Sequence, residues 1–533
     1  MAAGYALEWS CFAPTIRAMA SNASTRPRVP AAAPLVHPEQ LAAIDMGSNS
    51  FRLEIGQLQH GRYRRVDYLK ETVRLGAGLD ANGLLTEEAM LRGLACLARF
   101  AQRLEGFPPR VVRAVATQTL REARNRDAFL VRANTALGFP IEVISGREEA
   151  RLIYAGVARL QPSNATRLVV DIGGRSTEMI LGQGRVPLRA ESFQVGCVSL
   201  SMKYFPGGRY TEAAFRAAQV AAGAELEEAL EPFAARHWQE ALGSSGTAGA
   251  VSELLAANGI TDGTITPAGL RWCIEQCLRL GRLDKLNLPG LKAERRPVFA
   301  GGVAILYTLA THFGIEALLP ARGALRQGVI FDLGERLGVG DGEDTRHDVR
   351  DDSVHELQQR FNLDMTQAKR VQILALKLYA ALQPAAADEA RRELGWAASL
   401  HELGMTVSHH DHHRHSAYLL ANVDAAGFSQ SQQRRLASLV LGQRGGLRKI
   451  EEPLRDEGFA WQVLSLRLAV LLCHARQTPA AEALSLSVHG RIATLACSPG
   501  WAASHPRSMY LLAEESAMWE RAGAALRLSI EAA

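Results

Sequence analysis

The chain has 533 residues, 47% apolar and 22% charged, the composition of a globular protein with material for three or four domains. Its 60 Lys and Arg against 55 Asp and Glu leave a net charge of only +5, so bulk charge makes no case for nucleic-acid binding, and any anion site must come from local placement of charge. No apolar run approaches the ~18 residues needed to span a bilayer, which argues against stable membrane insertion; the seven scattered cysteines read as core residues of a reducing, cytoplasmic compartment.

Residues 1–37 are rich in Ala, Pro and Ser and lack a basic start followed by an apolar stretch, so they read as a disordered extension and not as a signal peptide. The first ordered signal is a repeat. Residues 41–57 read LAAIDMGSNSFRLEIGQ and residues 167–183 read RLVVDIGGRSTEMILGQ. Asp45 matches Asp171, Gly47 matches Gly173 and Ser50 matches Ser176, each 126 residues apart. Each copy is an apolar strand, an Asp-x-Gly-x-x-Ser turn and a second apolar strand, which predicts a duplicated α/β domain. Between and after the copies, 111–116 and 141–144 read as strands. Helical patterns cover 127–137, the stretch ending near 159, 211–230 and 267–279, and 297–309 is apolar and glycine-punctuated. Residues 338–344 have a linker composition. Helical patterns follow at 353–361, 366–382, 389–403 and 430–441, and 483–488 with 491–497 reads as a hairpin. The expected divisions are 38–152 and 153–335 for the two α/β lobes, 343–476 for a helical domain and 477–533 for a small α+β unit.

The turn Asp45-Met46-Gly47-Ser48-Asn49-Ser50 supplies backbone N–H groups for an anion nest and three side-chain donors. One such turn is an ordinary hairpin; two facing each other resemble the phosphate hairpins of actin, hexokinase and heat-shock ATPases. The second copy adds two carboxylates, Asp171 and Glu178, whose hard oxygens suit Mg²⁺ or, for Asp171, a bond to the turn backbone. Ser145 and Glu148 have capping-box spacing, which gives Glu148 a structural task and leaves Glu149 in the first helical turn, where a carboxylate can take a proton from water or simply offset the helix dipole. Arg121 follows the strand 111–116 and suits a bidentate phosphate contact. The loop 243–247, GSSGT, precedes a helix and suits a phosphate at its N-terminus through Gly246 and Thr247.

Taken together, AAIDMGSNSFRLEI (42–55), AVATQTLREA (114–123), IEVISGREEARLIYAGV (141–157), VVDIGGRSTEMI (169–180), VGCVSL (195–200), GSSGT (243–247), NLPGL (287–291) and GALRQGV (323–329) resemble the exopolyphosphatase / guanosine pentaphosphatase (Ppx/GppA) family from about residue 40 to the C-terminus. The resemblance implies a duplicated actin-like (ribonuclease H-like) core, then a degenerate His-Asp-type helical domain and a small terminal unit. It implies Glu149 as the catalytic base and Arg121 beside it. Asp45, Gly47, Ser48, Asn49 and Ser50 match the first phosphate loop, and Gly173, Gly174 and Ser176 the second. Gly246 and Thr247 match further cleft positions, and Asp171 and Glu178 the acids associated with Mg²⁺. A cytoplasmic homodimer is also implied. The expected reaction is release of terminal orthophosphate from inorganic polyphosphate, with guanosine pentaphosphate as the alternative substrate and a non-catalytic sensor a remoter one. The tilt to polyphosphate rests on family-like segments, 205–208 and 413–419.

One position departs from the pattern. The second loop usually carries Gly or Ala where this chain has Arg175, which either adds a phosphate contact, the reading favoured here, or turns to solvent. In the helical half, Leu400-His401-Glu402 has Glu where the His-Asp pattern has Asp, so no second metal site is expected. The His-rich stretch 409–415 reads as a structural loop before a helix, with adventitious metal binding open.

Overall fold

The two copies of the repeat fold as two copies of one five-stranded sheet. In the computed structural model, which describes residues 40–59, 62–339, 347–480, 483–522 and 526–532, the first sheet holds β1 (Gln40–Met46), β2 (Phe51–Gln59), β3 (Arg62–Glu71), β4 (Val112–Ala116) and β5 (Ile141–Val143) in the order β3-β2-β1-β4-β5. The second holds β6 (Thr166–Ile172), β7 (Thr177–Gln183), β8 (Val186–Phe193), β9 (Glu240–Ser244) and β10 (Leu318–Pro320) in the matching order β8-β7-β6-β9-β10. Each begins as an antiparallel meander and is extended by two parallel strands. Register is repeated as well: Asp45 pairs with Arg52 and Asp171 with Glu178, and both second strands bulge at the same place, at Ile55/Gly56 and Leu181/Gly182. β1 and β6 are central and buried, so they show as unbroken apolar runs. The expected extension 1–37 and most of the linker 338–344 lie outside the described residues.

Two helices trade partners between the lobes. Gly146–Leu160 follows the first sheet in sequence yet packs on β7 and β8, and Leu325–Leu337 ends the second lobe yet packs on β1 and β2. The two helices meet backbone to backbone: a Cβ on Gly328 would overlap the Leu152 carbonyl oxygen. Gly328→Ala must push these helices apart, and we expect a loss of about 1–3 kcal/mol, read as a lower denaturation midpoint. An unchanged midpoint would show that the contact yields freely.

Ser145 caps the helix Gly146–Leu160 by accepting from the Glu148 N–H at 3.1 Å. The reciprocal half of the expected capping box is not made, because stronger partners claim the Glu148 carboxylate. It takes two bonds from Arg151, at 2.7 and 2.9 Å, and one from the Gly427 N–H at 2.9 Å. Arg151 also reaches Asp332 at 2.6 Å, and Asp332 meets Arg113 at 2.6 Å and Arg336 at 2.7 Å. Burial by itself would raise the Asp332 carboxyl; the guanidiniums of Arg336, Arg151 and Arg113 outweigh it and hold the group well below the usual carboxylate range.

From residue 347 the chain is helical: Val349–Arg360, Met365–Leu382, Asp388–Ser399, His412–Asn422, Gln430–Gly442 and Glu457–Leu472 enclose a core containing Trp461, Leu403 and Leu464. A small sheet of β11 (Leu484–His489), β12 (Ile492–Cys497) and β13 (Arg527–Ala532) shares that core, with Trp519 of the helix Pro506–Arg521 between them. The helical half docks beside the start of the Gly146–Leu160 helix. Besides the Glu148–Gly427 bond, Arg147 pairs with Asp424 at 2.9 Å, Ile144 bridges Ser429, and Arg336 donates to the Gly427 carbonyl at 3.0 Å. His401 is buried with Nδ1 2.7 Å from the Ala398 carbonyl, and Glu402 pairs with Arg476 at 2.9 Å. His412 and His413 open their helix as buried rings, and burial pushes both down to about 4. No helix of the described residues is long and apolar enough to cross a membrane.

Candidate active site

The turns that join β1 to β2 and β6 to β7 confront each other at the bottom of a cleft of about 650 Å³, mouth included. They touch: a Cβ on Gly174 would lie 2.9 Å from the Ser48 Cβ. The turns also share one shape, since a Cβ on Gly47 or Gly173 would stand 3.1 Å from the carbonyl of Ser50 or Ser176 respectively. Their carbonyls are engaged from outside. Ser48 O accepts from Gly76 N at 2.8 Å and Asn49 O from Arg74 N at 2.9 Å; Gly173 O accepts from Cys197 N at 3.0 Å and Gly174 O from Val198 N at 2.8 Å. Hydroxyls remain: Ser48 Oγ accepts from Thr119 at 2.7 Å, while Ser50 Oγ is buried without a partner among the described residues. Two anion-ready turns in contact are what a phosphate chain needs.

Register decides the charges. Residues paired across an antiparallel hairpin project from the same face, so Asp171 and Glu178 stand side by side, as Asp45 and Arg52 do at the equivalent place. One copy presents two acids, the other an ion pair at 3.3 Å that Arg326 joins at 3.6 Å. Glu178 Oε1 accepts from Ser192 at 2.8 Å, and its Oε2 is buried without a hydrogen-bond partner among the described residues. Burial raises the Asp171 carboxyl to about 6 and Glu178 well above its ordinary value, with Glu149 and Asp171 adding repulsion at Glu178. Asp171 and Glu178, paired across the hairpin, are the residues that would hold a divalent cation there. Among the described residues no group of three or more His, Cys, Asp or Glu side chains is placed to hold a metal ion. Mg²⁺ does not require such a group, because it keeps waters and shares substrate phosphates.

Glu149 enters this cleft from the first turn of its helix. Burial raises its carboxyl to about 7; Arg121 opposes the rise, and Asp45 and Asp171 add to it. Arg121 Nη1 donates to Glu149 Oε2 at 2.7 Å and to the Ile144 carbonyl at 3.1 Å, and its Nε and Nη2 donate to Gln118 Oε1 at 2.9 and 2.6 Å. The structure therefore places Arg121 behind the carboxylate and not in the cleft lining. Gly246 and Thr247 do line the cleft, in the first turn of the helix Ser245–Ala257, which starts with Ser245 at φ +78° and is held by bonds from Ser245 and Thr247 to the Ile172 carbonyl at 2.9 and 3.0 Å. Arg175 does not line it.

Sequence reasoning missed Arg52 and Arg295, which line the cleft and also a second, adjoining chamber of about 940 Å³, open mouth included. Arg52 sits at the repeat position of Glu178, so the 126-residue offset pointed to it; nothing in the sequence pointed to Arg295. The chamber gathers Arg52, Arg65, Lys70, Lys292, Arg295, Arg322 and Arg326 around Tyr68, against one acid, Glu253, which pairs with Lys292 at 2.9 Å. Burial and the neighbouring cations push both Lys70 and Arg295 below their ordinary values. Segments 205–208 and 413–419 line neither space.

Fold and site together define an actin-like, phosphate-handling cleft built on two hairpins. Residues 55–337 match the model of the Ppx/GppA phosphatase family, and residues 349–516 match Ppx/GppA phosphatase, domain III. The chain belongs to the Ppx/GppA phosphatase family and is a phosphoanhydride hydrolase. A guanosine-5'-triphosphate,3'-diphosphate pyrophosphatase of Aeromonas hydrophila is 37% identical over 89% of this chain and 95% of its own length. One of Pseudoalteromonas atlantica is 36% identical over 92% and 97%. Among solved structures, an exopolyphosphatase from Cytophaga hutchinsonii matches 57% of this chain and 100% of its own with a TM-score of 0.51 at 24% identity, a likeness of fold. Both of the pyrophosphatase relatives are named for the guanosine substrate, the alternative reading of the sequence.

Proposed function

We propose that the chain hydrolyses the 5′-terminal phosphoanhydride of guanosine 5′-triphosphate 3′-diphosphate, with polyphosphate as a second substrate. The observation that carries this reading is the cationic chamber joined to the phosphate cleft through Arg52, Ser245, Gly246, Arg295 and Ala324. A linear polyphosphate needs a track. A nucleotide phosphorylated at both ends needs a cleft for one end and a wide, basic, partly aromatic chamber for the other, within the size range of ligand pockets. The same basic surface suits polyphosphate as well, which keeps it as the second substrate.

In this reading the two hairpin turns hold the terminal phosphates. Arg121 fixes Glu149 through Oε2, so the other carboxylate oxygen takes the proton of the attacking water. A P–O bond forms to that water and the P–O bond to the bridging oxygen breaks, releasing orthophosphate. Turn N–H groups, Ser50 and Arg52 stabilise the charge that develops. Asp171 and Glu178 are the residues that would hold Mg²⁺, which would supply charge neutralisation on the phosphate oxygens.

The test is orthophosphate release with Mg²⁺ from guanosine pentaphosphate and from long-chain polyphosphate at equal terminal-phosphate concentration. Faster turnover of the nucleotide is expected. The reverse order would move the assignment to polyphosphate, and no release from either would overturn the catalytic reading.

A further inference from the structure

The Arg175 side chain leaves its own lobe. From the second phosphate turn it crosses to the first lobe, where Nε and Nη2 meet Glu122 Oε2 at 2.9 and 2.7 Å and Nη1 donates to the Gly76 carbonyl at 3.2 Å. Its stem lies over Gly76, with Cδ 3.0 Å from where a Cβ there would be. The contacts do not end at Glu122. Its other oxygen, Oε1, accepts from Gln118 Nε2 at 2.6 Å; Gln118 Oε1 accepts from Arg121 at 2.9 and 2.6 Å; and Arg121 donates to Glu149 Oε2 at 2.7 Å. An unbroken series of polar contacts thus runs from the second phosphate turn to the acid proposed as base: Arg175, Glu122, Gln118, Arg121, Glu149.

We propose that Arg175 is a positioning residue that completes this chain across the lobe interface, so that Glu149 is held in its working orientation only while the second phosphate turn sits against the first lobe. The inference rests on Glu149 acting as the base. Each member fixes its neighbour by using both ends of its polar group. Glu122 spends one oxygen on Arg175 and the other on Gln118, and Gln118 spends its amide N–H₂ on Glu122 and its carbonyl on Arg121. Charge-assisted bonds at both ends give the series its stiffness. Without Arg175, Glu122 loses its cationic partner and turns to solvent, Gln118 is free to rotate, and Arg121 keeps, besides Glu149 itself, the Ile144 carbonyl to orient it. Because the guanidinium faces away from the cleft, the loss acts on turnover and not on affinity.

The experiment measures kcat and KM of the full chain and of Arg175→Ala, Glu122→Gln, the double variant, Arg175→Lys and Glu149→Gln, with melting temperatures alongside. Arg175→Ala and Glu122→Gln are each expected to lower kcat about three- to tenfold, the size of a modest misplacement of a catalytic group, with KM unchanged. The double variant should be no worse than the poorer single, because both cut one chain, and Arg175→Lys should recover part of the loss. A raised KM with kcat kept would make Arg175 a direct phosphate ligand and overturn the proposal. So would additive losses, or a wild-type kcat in Arg175→Ala. If Glu149→Gln itself keeps full activity, the reading of Glu149 as base fails and the proposal falls with it; if Glu149→Gln is inactive and Arg175→Ala is unaffected, only the proposal falls.

Discussion

Replacing Glu149 by Gln is expected to lower kcat by about 10²- to 10⁴-fold while substrate still binds, the loss typical when a general base is removed. The substitution preserves shape, and its amide oxygen can still accept from Arg121, so the 2.7 Å contact that orients the side chain has a counterpart. What disappears is the proton acceptor. Removing one negative charge from a cleft that Asp45 and Asp171 also line should favour anion binding, so KM should hold or fall. Steady-state phosphate release, with direct binding measured by calorimetry, separates the two effects. A variant that turned over at the wild-type rate would remove Glu149 from the chemistry; one that neither bound nor turned over would give it a structural role.

The second large effect is on stability. Asp332 is 3% exposed and surrounded by Arg113, Arg151 and Arg336. Asp332→Ala leaves three guanidiniums crowded around an empty space, and breaking a buried charge cluster from one side costs about 3–5 kcal/mol. Its folded-state carboxyl is depressed below the unfolded value, so the stabilisation it contributes is fully present above the unfolded value of about 4 and is lost as pH falls toward the folded one. Wild type and variant should therefore differ widely in denaturation midpoint at neutral pH and converge in acid. Equal midpoints at neutral pH would mean that the arginines find other partners.

Much of this was legible in the sequence because the architecture is duplicated. The 126-residue offset between Asp45 and Asp171 located both turns, and its regularity extends to strand register and bulge position. Elements escaped notice for separate reasons. β3 and β8 are edge strands, and their charged, partly exposed residues carry no apolar signal. The helix Glu457–Leu472 is buried on nearly every side, so it lacks the one-sided pattern that marks a surface helix. β13 pairs in parallel with β12 after a helix and has no hairpin turn to announce it. The cationic chamber is assembled from stretches near residues 52–70, 245–253, 290–295 and 321–327, and no local pattern joins them. Arg121 was expected to hold phosphate, and only the fold turns it toward Glu149 and away from the cleft.

Arg65, Lys292 and Arg322 are exposed at the chamber, on the solvent side of the phosphate turns. A polyanion diffusing nearby is drawn in before it touches anything, over a Debye length of about 8 Å at physiological ionic strength. This attraction acts on the rate of encounter, whereas the buried carboxylates and turns deeper in the cleft act on the bound complex. Added salt therefore slows capture, and kcat/KM falls with ionic strength while kcat stays nearly level.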